Sequence, residues 1–143
     1  MEYGYKGKGS TIHMITDGEG NPIGIQITSA KDDERKQVEK LIKKIEQVLP
    51  EEEVILEADK GYDSRELRFQ LIMQGIYPLI PYRKKDGQFA CWIKRIRWKI
   101  ERAISWLKRA YRRVVTRWER LVDAYTGVTL AALCYFWIRK IVG

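Results

Sequence analysis

Two short segments near the start of the chain have the pattern of β-strands. In Ile23–Thr28 the isoleucines occupy every second position, as expected for a strand with one buried face, and Thr11–Thr16 is also strand-like. The intervening segment Asp17–Pro22 (DGEGNP) is dense in turn-forming residues. The pattern therefore predicts a β-hairpin.

The pattern then changes to helices that alternate with short strands. A helix is predicted after Asp32 or Asp33, either of which can cap it, and another between a cap at Asp63 or Ser64 and Gly75. The first of these helices carries an apolar stripe at helical spacing. The two strands predicted here are Val54–Leu56 and Ile76–Pro81, whose prolines suit a sheet edge, and Arg83–Gln88 is predicted to be a charged loop.

The last third of the chain is predicted to be helical. An apolar stripe that steps by three and four runs through one long helix, and a further helix is expected from about Asp123 to Ile141. Alternation of strands and helices predicts the α/β class, with a mixed sheet flanked by helices in a single domain over residues 1–143. The stripe consists of Ile93, Ile96, Ile100, Ile104, Leu107, Tyr111, Val114 and Trp118.

Positive charge is concentrated in the long predicted helix. The chain of 143 residues has a formal net charge of +8, and the segment Lys94–Arg120 holds eleven Lys or Arg but only two acids, Glu101 and Glu119. A basic stripe confined to one element indicates a nucleic-acid partner. The alternative is a solvated helix face without a partner.

The sequence predicts neither secretion nor a disulfide framework. Its first ten residues have no apolar core, so we expect no signal peptide. The apolar stretch AYTGVTLAALCYFWI is shorter than the roughly 20 residues of a membrane span and predicts a buried helix. Cys91 and Cys134 belong to no paired motif, which favours a reducing cytoplasm over a disulfide or zinc site.

Two acids and two basic residues are the candidates for chemistry. Arg97, Glu101 and Lys108 fall along one border of the apolar stripe, at about 100° per residue, where a side chain can be held by the core and still face a groove. A surface ion pair between Arg97 and Glu101 is the alternative. Asp59 follows a predicted strand, at the end where ligands gather in open α/β sheets, but turn and capping roles are common for Asp.

Together these acids suggest a metal site that acts on a phosphodiester. Asp59 and Glu101 could share a divalent ion, since Mg²⁺ usually takes one or two carboxylates plus phosphate oxygens. Such ions can stabilise the attacking and leaving oxygens in phosphodiester chemistry. The surrounding Arg and Lys would hold the DNA backbone.

At these residues the chain resembles a known family. Its segments GKGSTIHMITDGEGNPIGIQITSA, ADKGYDS and RWKIERAISWLKRAYRRVVTRWER, with the apolar tail, resemble the C-terminal part of bacterial insertion-sequence transposases of the DDE type. The family's signature is Tyr, two residues, Arg, three residues, Glu, six residues, Lys. Arg97, Glu101 and Lys108 match it, while Lys94 stands at the Tyr position.

The resemblance implies a fold and roles for these residues. It implies a ribonuclease H-like mixed sheet, with Asp59 as the second and Glu101 as the third catalytic acid, both ligands of Mg²⁺ or Mn²⁺. Arg97 and Lys108 would contact DNA near the scissile phosphate. The wider DNA-binding set that we expect consists of Arg97, Lys108, Arg102, Arg109, Arg112, Arg113 and Lys94.

The family's first catalytic Asp is the main departure. It lies on the central strand, upstream of the Gly-rich segment that opens this chain, and Asp17 in the hairpin turn cannot replace it. We therefore expect a sheet without its first central strand and a chain that is inactive by itself. Asp33 matches an Asp that often follows the third strand, but Asp32 stands where a His is usual, so Asp33 carries little weight.

Two functions remain as hypotheses. The first is a transposase, as a fragment or as the second half of a split enzyme, which cuts and joins DNA at insertion-sequence ends. Its partners would be double-stranded DNA, the N-terminal half of the transposase and further copies of itself, in the bacterial cytoplasm at the nucleoid. The second is a catalytically incomplete DNA-binding protein that regulates or inhibits transposition.

Single aromatic and histidine residues are expected to be structural. His13 lies in a predicted strand, which favours a buried structural role over catalysis. The tryptophans could stack on bases, but most are expected to pack against the core because they lie on or near helices with apolar stripes. They are Trp92, Trp98, Trp106, Trp118 and Trp137.

Overall fold

The chain forms an α/β protein with two compact units. The computed structural model describes residues 9–29, 32–82, 90–116 and 121–143, without the side chains of residues 90–96 and 116. One unit comprises Met1–Asp32 with Ile100–Gly143, and the other comprises Asp33–Lys99. The elements are β1 (Ser10–Thr16), β2 (Pro22–Ser29), α1 (Glu34–Ile45), β3 (Val54–Glu57), α2 (Arg65–Met73), β4 (Ile76–Leu79), α3 (Ala90–Ala110), α4 (Arg112–Thr116) and α5 (Val122–Val142).

The predicted hairpin forms the sheet of the first unit. Strands β1 and β2 pair in antiparallel register, with Ile12 opposite Ile27 and Met14 opposite Ile25. These cross-strand pairs lie on the same face of the hairpin, and helical residues of α3, α4 and α5 pack against that face. The buried cluster consists of Met14, Ile25, Ile27, Ala103, Leu107, Val114, Tyr125, Ala132 and Leu133.

The long basic helix ends earlier than the stripe predicts. The α-helix α3 ends at Ala110, and α4 starts at Arg112, so the prediction of one continuous helix as far as Trp118 is wrong. No Gly or Pro marks the break. Beyond the break, Val114 is buried in the core and its carbonyl accepts a 2.7 Å hydrogen bond from the Tyr125 hydroxyl, which holds α4 in place. Trp118 lies outside the described residues.

The second unit is built on a parallel pair of strands. Strands β3 and β4 pair in parallel, with Val54 opposite Ile76. Of the alternative caps, Asp33 caps α1 and Ser64 caps α2. Gly75, just after α2, has φ 75°, a backbone conformation that residues with a side chain rarely adopt. Among the described side chains of this unit, those that are buried are Gln37, Val38, Leu41, Ile42, Ile45, Leu67, Leu71, Ile76 and Ile80.

The α/β class is confirmed, but the sheet is divided. Within the described ranges the strands form two separate two-stranded sheets, one antiparallel and one parallel, rather than one mixed sheet. Ribonuclease H-like topology stays a prediction. Strand β4 stops at Leu79, before the second proline, and the predicted loop Arg83–Gln88 lies outside the described residues.

The apolar tail forms a helix that is buried on one side only. Helix α5 buries Tyr125, Thr129, Ala132 and Leu133. The expected buried helix is present but is covered on one side only, since large apolar side chains remain exposed on its other side. In the described parts of the chain, no helix has the length and apolar character that a bilayer crossing requires.

Candidate functional site

Asp59 lies just beyond the carboxyl end of β3. Its Oδ1 atom accepts a 2.6 Å hydrogen bond from the backbone N–H of Lys60 and so caps the 3₁₀ turn Lys60–Tyr62. The side chain is nevertheless 42% exposed. The sequence left a capping role and a position at a strand end as alternatives for Asp59, and the structure has both. The cap uses only Oδ1 and leaves Oδ2 outside it.

Arg97 approaches the other oxygen of the same carboxylate. Its Nη1 atom lies 3.9 Å from Oδ2 of Asp59, and its side chain is 61% exposed. Both residues belong to the unit Asp33–Lys99. An ion pair with a 3.9 Å separation and two exposed side chains contributes little to the free energy of unfolding. It brings together the second expected acid and one of the expected DNA contacts.

The turn after Asp59 is held by a partly buried ion pair that sequence reasoning did not predict. Arg68 lies 2.9 Å from Oδ1 of Asp63, and the two side chains are only 15% and 16% exposed. Arg68 also donates to the carbonyl oxygen of Ile80 and stacks over the ring of Tyr82 at 4.1 Å. The end of the turn is thereby tied to the end of β4. The only sign of this contact in the sequence was that Asp63 and Arg68 carry opposite charges on either side of Ser64, the cap of α2.

Tyr62 adds a phenol to the surroundings of Asp59. Burial raises the pKa of Tyr62, and the nearby carboxylates of Glu34 and Asp59 raise that pKa further. The phenol therefore stays protonated and able to donate a hydrogen bond at neutral pH. Glu34 comes from the first turn of α1, which packs against the Lys60–Tyr62 turn. Sequence reasoning missed both Tyr62 and Glu34, since neither the strand ends nor the basic helix points to them.

Glu101 lies on the exposed side of α3. Ala103 and Leu107 of the same helix are buried in the core of the first unit, while Glu101 is exposed. Arg97 and Glu101 are four residues apart on this helix, hence about one turn apart. Glu101 belongs to the unit with Ile100–Gly143, whereas Asp59 belongs to the unit Asp33–Lys99.

The predicted DNA contacts are distributed over α3 and α4. Arg102 is exposed and donates a 2.8 Å hydrogen bond to the carbonyl of Glu19. Arg109 is exposed, and Lys108 is half-buried. Because α3 ends at Ala110, the exposed Arg112 and Arg113 stand on the separate short helix α4. Lys94 lies in α3, and its side chain is outside the described set.

The donor chemistry of the two acids fits a hard divalent cation. Among the described side chains, no group of three or more His, Cys, Asp or Glu lies close enough together to hold a metal ion. Mg²⁺ does not require such a cage, since one or two carboxylates with water and phosphate oxygens are usual. Asp59 retains an oxygen outside its cap, and Glu101 is exposed. These two carboxylates are the candidate ligands.

The single histidine and the described tryptophans have structural contacts. The Nε2 atom of His13 lies 2.9 Å from the Thr28 hydroxyl, and both residues are buried. Trp106 packs edge-to-face against Phe136, and Trp137 donates a 2.8 Å hydrogen bond to the carbonyl of Pro22. Trp98 is 47% exposed. Trp118 and the side chain of Trp92 are outside the described set.

Comparison with known proteins identifies the family. The family described as "Transposase DDE domain" matches residues 2–90 and 92–137. The chain belongs to this DDE transposase family. It is 30% identical over 142 residues to a protein of Burkholderia cepacia named "Putative transposase for insertion sequence element IS402". The match covers 92% of this chain and 65% of that relative, and no solved structure matches the chain.

Family membership agrees with the resemblance seen in the sequence motifs. The matched ranges include both expected acids, Asp59 and Glu101, together with Arg97 and Lys108. The chain spans 65% of the length of that relative, so DNA transposition and the use of a divalent metal are proposals for it. The roles of individual residues in this chain do not follow from the match and are argued below.

Proposed function

We propose that this DDE transposase carries out metal-dependent DNA cleavage and strand transfer at the ends of an insertion sequence. Asp59 and Glu101 serve as its second and third acids and hold Mg²⁺ or Mn²⁺. The observation that carries the proposal is the position of Asp59 beyond β3, capped by Lys60 N–H and approached by Arg97. Both units belong to one catalytic domain in this account.

Each residue near the proposed metal would have its own role in the reaction. The bound metal would stabilise charge on the attacking and leaving oxygens. Arg97 would exchange its contact with Asp59 for a DNA phosphate, because a guanidinium binds phosphate oxygens in bidentate fashion. Lys108 would bind a neighbouring phosphate, and Tyr62 would donate a hydrogen bond from its protonated phenol. Water would be the first nucleophile and a DNA 3′ hydroxyl the second.

The basic residues of α3 and α4 form the proposed DNA surface. Their contacts with phosphates would position the duplex without reading its sequence. The exposed Arg102, Arg109, Arg112 and Arg113 support this role, and Lys94 is included because it belongs to the same basic segment. The active form would be an oligomer at the nucleoid.

Cleavage of element-end DNA tests the enzymatic proposal. Since the family's first acid is expected upstream of the Gly-rich segment, the assay uses the chain joined to the polypeptide that bears that strand. We expect strand cleavage with Mg²⁺ or Mn²⁺ and none with the metal chelated. The enzymatic proposal fails if the joined protein binds the DNA but leaves it intact with either metal.

The second candidate is a DNA-binding regulator of transposition. It is favoured by one observation, that exposed arginines cluster on α3 and α4. The chain by itself would then bind DNA and reduce transposition by the complete enzyme. DNA binding that is absent, or that does not weaken with salt, counts against it.

A further inference from the structure

The hairpin turn of the first unit is docked onto helices α3 and α5. The Nη2 atom of Arg102 on α3 donates a 2.8 Å hydrogen bond to the backbone carbonyl of Glu19. The indole nitrogen of Trp137 on α5 donates a 2.8 Å hydrogen bond to the carbonyl of Pro22, at the end of the turn. All of these residues belong to the first unit. Backbone carbonyls therefore attach the turn to both helices.

The carboxylate of Glu19 adds an exposed ion pair to this docking. Its side chain is 82% exposed, and its Oε2 atom lies 3.6 Å from Nζ of Lys140 on α5. The side-chain amide of Asn21 donates to the same oxygen at 3.2 Å. Lys140 also lies over the ring of Trp137, with Nζ 5.6 Å from the ring centroid. An ammonium and an amide donor therefore converge on one exposed carboxylate oxygen.

The other acid of the turn is held within the turn. Asp17 accepts hydrogen bonds from the backbone N–H groups of Glu19 and Asn21 and from the Asn21 side chain. Lys140 lies near enough to attract the Asp17 carboxylate as well. Because the hydrogen bonds of Asp17 close the turn, Glu19 is the acid that can leave Lys140 without opening the turn.

Arg102 is one of the arginines proposed to bind DNA, and the turn places an acid beside it. Successive residues of an α-helix are about 100° apart around its axis, so Arg102 faces a different side of α3 from Glu101. A duplex bound at Arg102 would meet the turn, because the Arg102 guanidinium bonds the carbonyl of Glu19. An exposed carboxylate in that place repels the phosphates of the duplex unless it moves.

We propose that Lys140 and Arg102 form a second phosphate-binding site for duplex DNA, and that the Glu19 carboxylate occupies this site when no DNA is bound. The inference rests on the proposed DNA surface of α3 and adds Lys140 and its control by Glu19. A DNA phosphate takes the place of the carboxylate at Lys140, since both are oxygen anions that accept hydrogen bonds from an ammonium group. The Asn21 amide can then donate to the same phosphate oxygen. The turn stays docked through its backbone carbonyls, so movement of the Glu19 side chain suffices.

The exchange is feasible because the ion pair that it breaks is weak. The two side chains are 82% and 42% exposed, and an ion pair between exposed side chains is screened by solvent and salt. A phosphate contact, in contrast, releases a counterion from the DNA. We therefore expect Glu19 to lower the affinity for duplex DNA by about two- to five-fold, the range that the strength of exposed ion pairs allows, without abolishing binding.

Removal of the Glu19 charge is the first test. Fluorescence anisotropy with a short DNA duplex measures the affinity of the wild type and of Glu19→Gln over a salt series. We expect Glu19→Gln to bind about two- to five-fold more tightly, with a salt dependence steeper by about one phosphate contact. Glu39→Gln is the matched control, because it removes the same charge from an exposed ion pair, 3.1 Å from Lys43 on α1. Its affinity should stay close to that of the wild type.

A double-mutant cycle separates occupation of the site from a simple change of net charge. Lys140→Gln is made both in the wild type and in Glu19→Gln. If Glu19 occupies the site, the loss of Lys140 weakens DNA binding more in Glu19→Gln than in the wild type, where Lys140 is already engaged. If the two charges act independently on DNA, Lys140→Gln lowers the affinity by the same factor in both proteins.

Separate outcomes overturn this proposal and the DNA surface on which it rests. The proposal is overturned if Glu19→Gln binds DNA no more tightly than Glu39→Gln, or if the cycle shows no coupling. In either case the wild type still binds DNA, so the proposed surface of α3 stands. If none of the proteins binds duplex DNA, that surface is wrong and the second site with it.

Thermal unfolding checks that the turn does not depend on the carboxylate. Glu19→Gln keeps the hydrogen bonds to the carbonyls of Glu19 and Pro22, so its unfolding temperature should stay close to that of the wild type. A large fall in the unfolding temperature would show that the carboxylate holds the turn in place. Glu19 could then not leave Lys140 to admit a phosphate, and the proposal would be overturned.

Discussion

The Nη1 atom of Arg97 lies 3.9 Å from Oδ2 of Asp59. The contact joins the C-terminal end of a parallel strand to the long basic helix within one compact unit. Both side chains remain substantially exposed, at 61% and 42%, so the pair stays accessible to solutes. An acid suited to a metal and a base suited to a phosphate therefore stand side by side.

Replacing Arg97 should weaken DNA binding far more than it weakens the fold. For Arg97→Gln we expect lower affinity and a salt dependence reduced by about one phosphate contact. The free energy of unfolding should change by less than about 1 kcal/mol, because the ion pair is exposed. Fluorescence anisotropy over a salt series measures the affinity and its slope.

Lys43→Gln is the matched control for that experiment. Lys43 also forms an exposed ion pair, 3.1 Å from Glu39, and its side chain is 66% exposed, but it lies outside the basic segment. Replacing Lys43 should leave the affinity for DNA and the slope of its salt dependence nearly unchanged. Equal losses for the two variants would mean that net charge alone, and not the place of Arg97, governs binding.

Arg68 should matter chiefly for stability. Arg68→Ala removes the cation that pairs with the partly buried Asp63 carboxylate, which should cost about 1–3 kcal/mol. The Lys43→Ala change removes an exposed i,i+4 pair and should cost less than about 0.5 kcal/mol. Urea unfolding followed by circular dichroism compares the two. A small effect of Arg68→Ala would show that the tie between the turn and β4 is not needed to hold the unit together.

The hairpin turn should lose stability in acid through Asp17. Its carboxylate accepts backbone hydrogen bonds from Glu19 and Asn21, and the Asn21 side chain bonds it at 2.7 Å. Burial works against ionisation, but these hydrogen bonds outweigh it and hold the pKa of Asp17 below its ordinary value of 3.8. The stabilisation is therefore complete above the unfolded pKa and is lost as the pH falls through the lower folded pKa.

The measurement is urea unfolding of wild type and Asp17→Ala at pH 7 and at decreasing pH. The difference in the free energy of unfolding should be largest at pH 7 and should shrink below about pH 4. A difference that stays constant across this range would show that the carboxylate has the same pKa in the folded and unfolded chain.

Much of the local structure could be predicted because its signals are local. The hairpin follows from alternating isoleucines and a turn sequence, and Ser64 and Asp33 cap helices as residues of their types commonly do. The break after Ala110 could not be predicted, because the apolar spacing continues through it and the Tyr125 contact that holds Val114 beyond it forms only on folding. The same limit explains why Arg68 was missed, since its carboxylate and carbonyl partners are brought together by folding.

The hydroxyl of Tyr125 should stabilise the segment that follows the break. Tyr125→Phe leaves the buried carbonyl of Val114 without its 2.7 Å hydrogen bond and should cost about 1–2 kcal/mol. Thr126→Val is the control, because its exposed hydroxyl bonds the carbonyl of Val122 at 2.8 Å, where water can replace it. Similar small losses for both variants in thermal unfolding would show that the Tyr125 hydrogen bond adds little to stability.

Cleavage by Glu101→Gln tests the central claim most directly. The joined protein is assayed on element-end DNA with Mg²⁺, beside Asp59→Asn and the control Glu119→Gln, which neutralises the other acid of the basic segment. We predict that Glu101→Gln and Asp59→Asn abolish cleavage while DNA binding is retained or tightened, and that Glu119→Gln cleaves normally. Cleavage by Glu101→Gln at the rate of Glu119→Gln would contradict the assignment of Glu101 as a metal-binding acid.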